Sequence, residues 1–395
     1  MTVQRLLGRH LAILLAGAVL GLGHGARAAD PIVIGAAIAQ SGVVAPYDEG
    51  PAQGMELAVE EINAKGGLLG RPLKIVYADT KSEIAQGSTA AQEVIDQGAS
   101  LVVVTCDYDF GSAAASVAND AGLITFSTCA GDPKFGPSGI GPNAFTMATS
   151  SPGQAVALAE WAYNVKGWRT AYILLETTIA FDASFADAFK RRWIELAGEK
   201  GFLGQDTYGG EDPQISTQIN RIKALPQQPD VIALASFPPA GPSALRQLRA
   251  AGIDQPVVAS ESWDGDYWLE ATPGLGNFYF VTYASVFGTD PRPAMQDYMA
   301  KFEKKFGHHP ITSHTVTGYG VIEAWTKAVT RAGELDAEKV RAELEKFAGE
   351  PLLVGPTTFT AETHINNQRD LALMEIENGK QGTVVGIISA QKMPE

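Results

Sequence analysis

This chain of 395 residues sets 30 Lys and Arg against 44 Asp and Glu, a formal net charge of −14, and 45% of it is hydrophobic. The acidic balance argues against nucleic acid as a partner, and the hydrophobic share fits a compact globular protein.

Residues 1–29 carry Arg5 and Arg9, then an apolar run from Leu11 to Leu22, then Ala26-Arg27-Ala28, the small-x-small pattern that signal peptidase needs. They predict a cleaved secretory signal and a soluble exported protein that starts near Ala29 or Asp30. The run is too short to span a bilayer, no later segment reaches about 18 uncharged apolar residues, and no Cys follows it to take a lipid anchor. Without the leader 27 bases face 44 acids, a charge of −17 that reads as a solvated surface. At roughly 100 to 200 residues per domain, the rest predicts two domains, each large enough for its own core.

Beyond the leader the chain alternates strands and helices, which predicts parallel sheets with helices on both faces. Strands are expected at 32–39, 73–78, 101–105, 124–127, 170–176, 231–235, 257–259 and near 278–283. Between the first two, Met55, Val59 and Ile62 recur at helical spacing. Gly66 and Gly67 end that helix where a positive φ costs nothing, and Leu73, Ile75 and Tyr77 alternate as in a strand. Cys106 ends the apolar stretch LVVVT and Cys129 follows LITFST, with an Ala-rich helix over 112–121 between them. Neighbouring strand ends of a parallel sheet would bring the two thiols together, so a Cys106–Cys129 disulfide is expected in an export compartment. Two thiols are too few for a metal, and His308, His309 and His314 lie far along the chain. Later helices are expected at 152–164, 181–197, 291–306, 315–332 and 336–347. Thr, Ser, Pro and Gly crowd at 147–153 and interrupt the alternation.

The segment NAKGGLLGRPLKIVYAD, residues 63–79, closely resembles the first helix-to-strand passage of the periplasmic type I solute-binding proteins of the leucine/isoleucine/valine-binding family, which serve ABC importers. The resemblance covers nearly all of the chain beyond the leader. It implies an α/β fold of two doubly wound parallel-sheet lobes joined by a hinge that is crossed three times, at 147–153, 276–284 and 355–360. Residues 30–147 and 277–355 would form one lobe, and 148–276 and 356–395 the other. It also implies a small-molecule ligand trapped by hinge closure, no cofactor or metal, and an inner-membrane ABC permease complex as partner. The expected ligand is an amino acid or an amino-acid-like compound, with an aromatic or other small carboxylic acid as the alternative.

Ligands of doubly wound sheets bind beyond the carboxyl ends of the strands, which singles out specific loops. Loop 40–50, QSGVVAPYDEG, offers Ser41 and Gly42 but lacks both the G-x-G-x-x-G spacing and a Walker lysine, so a nucleotide is not indicated. In family members that bind amino acids, loops 105–111 and 127–133 hold the ligand carboxylate and ammonium, and by position those roles fall on Asp107, Cys129 and Gly131. The Cys129 backbone alone would serve unchanged, because Asp repels a carboxylate and Gly has no hydroxyl. Tyr108 is the first-lobe side chain most expected at the cleft. From the second lobe, Phe181 stands where the family often places an aromatic over the ligand, and Glu261 where amino-acid binders place a carboxylate for the ammonium. Trp263, Asp264 and Tyr267 adjoin it. Trp263 is read equally as a core residue, and Asp107 and Asp109 equally as solvated or helix-capping acids. Acids, aromatics and backbone amides with few bases suit a ligand bearing donors and apolar bulk, and disfavour sulfate, phosphate and dicarboxylates. An aromatic acid would need backbone N–H groups or a helix N-terminus.

Catalysis has little support. DFGSAAA does not supply a G-x-S-x-G elbow, no H-E-x-x-H occurs, and the acid pairs Asp107/Asp109 and Asp264/Asp266 sit at i, i+2 on loops where acids are ordinary.

Overall fold

The computed structural model describes residues 30–210, 212–380 and 382–394, and the expected signal at 1–29 lies outside them. In chain order the first lobe opens with β1 (Ile32–Ile38), α1 (Ala45–Ala64), β2 (Leu73–Asp79), α2 (Ile84–Asp96), β3 (Ala99–Val104), α3 (Tyr108–Asp120), β4 (Ile124–Ser127) and β5 (Ala144–Thr146). These strands form an all-parallel sheet in the order β2-β1-β3-β4-β5. Its central strand β3 buries Leu101 to Val104 completely, as expected where helices cover both faces and the strand reads as a continuous apolar run.

The second lobe follows with α4 (Ser151–Asn164), β6 (Ala171–Glu176), α5 (Ala180–Ala197), β7 (Phe202–Tyr208), α6 (Ser216–Lys223), β8 (Val231–Ala235), α7 (Ala240–Ala250), β9 (Val257–Ala259) and β10 (Phe278–Thr282). The chain then adds α8 (Pro293–Phe306), α9 (His314–Ala332), α10 (Ala337–Leu344) and the hairpin of β11 (Glu350–Leu352) and β12 (Gly355–Thr357). It ends with β13 (Leu371–Ile376) and β14 (Val384–Ile388), which join the second sheet in the order β14-β13-β10-β9-β8-β6-β7. Two features depart from expectation. The second sheet is mixed, because β13 and β14 pair antiparallel. The boundary expected after Gly276 would cut β10 from its own sheet, since β10 pairs with β9 and β13 and the chain leaves that sheet only after Thr282.

All three crossings meet at one buried hub. Arg369 donates from Nη1 to Met147 O at 2.7 Å and from Nη2 to Thr357 Oγ1 at 3.1 Å. Tyr283 Oη accepts from Thr149 N at 3.0 Å. A buried guanidinium that donates to Met147 O, Thr357 Oγ1 and, at 3.5 Å, Thr149 Oγ1 fixes where the strands pass.

The region around 40–50 is shorter as a loop than expected, because α1 already begins at Ala45 with Pro46 in its first turn, where its missing N–H costs nothing. Helix α1 crosses α9 backbone to backbone: a Cβ on Gly54 would lie 2.0 Å from Thr315 O, and one on Gly318 2.1 Å from Pro51 O. That crossing anchors the first turn of α1, where the Asp48 carboxylate accepts from Ala39 N at 2.7 Å and Cys106 N at 2.8 Å. One side chain thus ties together the carboxyl ends of β1 and β3, and it sets Tyr47 at the cleft.

Candidate functional site

The loops that follow β1, β3 and β4 meet those that follow β6, β8 and β9 around a cavity of about 410 Å³, its open mouth included. The two lobes touch across it: Tyr47 Oη donates to Ser262 O at 2.8 Å, Ala180 N to Asp109 Oδ2 at 2.7 Å, and Ser184 Oγ to Asp132 Oδ2 at 2.9 Å.

Asp107 lines the cavity from the first lobe. It also caps α3, accepting from Asp109 N at 2.8 Å, and sits at φ 79°, a conformation that costs an L residue energy. Burial first, and then the charge of Asp109, push its carboxyl up to about 7. Cys106 and Cys129 both line the cavity and are joined by a disulfide with Cα atoms 4.9 Å apart, normal for such a bridge. Gly131 lies directly against the ring of Phe181, which itself lines the cavity.

Glu261 enters from the second lobe at the end of β9. Gln154 Oε1 accepts its backbone N–H at 3.0 Å and Tyr283 Oη reaches Oε1 at 3.5 Å, while Oε2 is buried without a hydrogen-bond partner among the described residues. Burial pushes this carboxyl up to about 8. Phe110 and Phe237 add apolar wall. His314 also reaches the cavity, but burial lowers it to about 3, so it is neutral and contributes no positive charge. Among the described residues no Lys or Arg lines the cavity.

Besides Gly131, which sits behind Phe181, three expected site residues lie outside the cavity wall. Ser41 is exposed, and its hydroxyl donates to Asp79 Oδ2 at 2.7 Å outside the cavity wall. Tyr108, at the first position of α3, is only half-buried with Lys134 Nζ 5.8 Å from its ring centroid, and the cavity is lined instead by Phe110 two residues on. Trp263 is fully buried in the second lobe, donating from Nε1 to Ser236 O at 2.7 Å and packing on Trp268 and Phe278. It is the core alternative that applies to it. Tyr47, Phe110 and Phe237 line the cavity with no motif in the sequence to mark them.

Two lobes hinged at a common hub, with a cavity walled by strand-end loops of both, define a hinged small-molecule receptor. The sequence profile described as Periplasmic binding protein matches residues 31–381, and the chain belongs to that family. It is 26% identical over 373 residues to the Leu/Ile/Val-binding protein BraC3 of Rhizobium johnstonii, covering 94% of this chain and 98% of that relative. Among solved structures it resembles the branched-chain amino acid transporter substrate-binding protein LivJ from Streptococcus pneumoniae in complex with isoleucine. There the TM-score is 0.78 and the identity 21%, with 91% of this chain and all 100% of the other covered. A solute-binding protein of an ABC transporter from R. palustris in complex with benzoate matches with a TM-score of 0.75 at 20% identity, over 92% of this chain and 98% of the other. The likeness carried by residues 63–79 therefore points to the family that residues 31–381 match. No helix among the described residues is long and apolar enough to cross a membrane.

Proposed function

We propose that this protein is the solute receptor of an ABC importer, exported with removal of residues 1–29, which captures a small amine-bearing metabolite, an amino acid or a close analogue, and presents it to an inner-membrane permease. The observation that carries the ligand class is Glu261: a buried carboxylate at the cavity wall with an unpartnered Oε2. Leaving such an oxygen unpaired is costly, and an ammonium group would supply the missing donor. Ligand contacts to both lobes exist only in the closed form, so binding shifts the open-closed equilibrium toward the form a permease recognises. Relatives that bind Leu, Ile and Val support the same class.

An aromatic carboxylic acid is the second candidate. It is favoured by the Phe110, Phe181 and Phe237 wall and by the benzoate held in a structural relative. Its carboxylate would meet Asp107 and find no base, which ranks it second.

Calorimetry on protein freed of co-purified ligand by unfolding and refolding tests both. In Glu261→Ala the affinity for ammonium-bearing ligands should fall by about 10-fold or more, with benzoate affinity unchanged. Equal binding of an ammonium ligand to both proteins would remove Glu261 from the site.

A further inference from the structure

Asp182 stands in the first turn of α5, fully buried, and neither of its carboxylate oxygens has a hydrogen-bond partner among the described residues. It lies behind the cavity wall, which its neighbours Ile179 and Phe181 line. The charges that act on it are those of Glu176, Asp107, Glu261 and Asp109, every one an acid. Helix capping does not account for it, because the Ala180 N–H at the start of α5 is taken by Asp109 from the other lobe. Nor does a metal site: among the described residues no three acid, thiol or imidazole groups are grouped to hold an ion. Glu176 differs, since Thr178 Oγ1 and Ser236 Oγ donate to it at 2.9 and 2.5 Å.

Resting on the receptor role above, we propose that Asp182, with the cavity-lining Asp107 acting on it, forms a second cation subsite opening off the cavity that Glu261 lines, and that the ligand is dicationic: two N–H-bearing cationic ends on a short apolar stem. The unpartnered oxygens Asp182 Oδ1, Asp182 Oδ2 and Glu261 Oε2 are acceptors in want of donors. A primary ammonium brings three donors to each end, whereas a quaternary ammonium brings none. Phe110, Phe181 and Phe237 cover the stem. A free carboxylate at the Asp107 end would be repelled, so a diamine fits better than the diamino acid of the same length.

The test uses refolded protein and its Asp182→Asn and Glu261→Gln variants. Melting shifts and calorimetry are read with α,ω-diaminoalkanes of three to six carbons, L-lysine, L-leucine, choline and benzoate. Expected is a shift by at least one diamine and a loss of about 30-fold or more in its affinity in each variant. Asp182→Asn should melt no lower than the parent when ligand-free, because Asn matches the shape of a carboxyl that makes no hydrogen bond there, and this separates lost binding from lost fold. A dication that binds Asp182→Asn as tightly as the parent overturns the subsite. So does a response to L-leucine or benzoate with none to any dication, which leaves the receptor role standing. A response to choline alone would assign an aromatic cage instead, and silence across the whole panel counts against both proposals.

Discussion

Gly131 and Phe181 belong to different lobes and touch so closely that a Cβ built on Gly131 would lie 2.5 Å from Cε2 of the Phe181 ring. The same loop position that lacks the hydroxyl of amino-acid binders is therefore occupied by an aromatic ring from across the cleft. Gly131→Ala cannot be absorbed without moving α5 or turning the ring, and α5 is pinned by Asp109 and Asp132. We expect this variant to fold normally and to bind ligand about 10-fold more weakly or worse, because the closed form is strained and the open form is not. Calorimetry against the parent, with small-angle scattering for the open-closed balance, checks it, and an unchanged affinity would show that the ring is free to move.

Asp48 holds the cleft floor from below. Its carboxylate takes the Ala39 and Cys106 N–H groups, both at the carboxyl ends of buried strands. Asp48→Ala leaves two buried donors unpaired and should cost about 2 to 5 kcal/mol of stability. Denaturant unfolding measures this directly. A loss below 1 kcal/mol would mean that water replaces the carboxylate there.

Much of this architecture is legible in the sequence because buried parallel strands are apolar throughout. LVVV at 101–104 and VIALA at 231–235 announce themselves, and the glycine pair after the first helix marks its end. The edge strands are less visible: β7 reads FLGQDTY, and β14 alternates between half-buried and exposed, so neither has an apolar run to betray it. In the site, Glu261 and Phe181 are found by position in the loops, and Asp107 by its departure from the expected hydroxyl. Trp263 was undecided because Trp packs equally well in a core or a cleft, and Ser41 points away because Asp79 captures its hydroxyl. Asp182 escapes notice because, apart from Glu176, only the third dimension brings it to the acids that act on it, Asp107, Asp109 and Glu261.

The Cys106–Cys129 disulfide closes a loop of sequence separation 23 within the first lobe. Chain-entropy arithmetic for a loop of that size gives about 3 kcal/mol of stabilisation. The double variant Cys106→Ala/Cys129→Ala should therefore unfold at lower denaturant, and because both residues line the cavity it should also bind ligand more weakly. If stability alone falls, the bridge is a brace and the cavity wall tolerates alanine. If neither changes, the backbone pairing of β3 with β4 holds the two strand ends without it.

Burial raises Asp48 and Asp107 to about 7 and Glu261 to about 8, and raises Asp182 as well. In the unfolded chain these carboxyls titrate near pH 4. Between about pH 4 and 8 the native state thus holds more protons than the unfolded state, so the stability of ligand-free protein should fall as pH rises through that window. Binding of an ammonium-bearing ligand runs the other way. It favours the ionised carboxylates, so protons leave on binding and affinity should rise from pH 5.5 toward about 8, while the ligand nitrogen stays charged. The groups facing Asp182 do not offset this: Glu176 and Asp109 are acids, and Tyr47 and Tyr208, raised by burial, stay neutral. Calorimetry in two buffers of different ionisation enthalpy counts the released protons, and Asp182→Asn should reduce that number. An affinity that instead falls as pH rises, with protons taken up, would mean that the acids bind in their protonated form as donors to a carboxylate, and the aromatic-acid ligand would displace the amine.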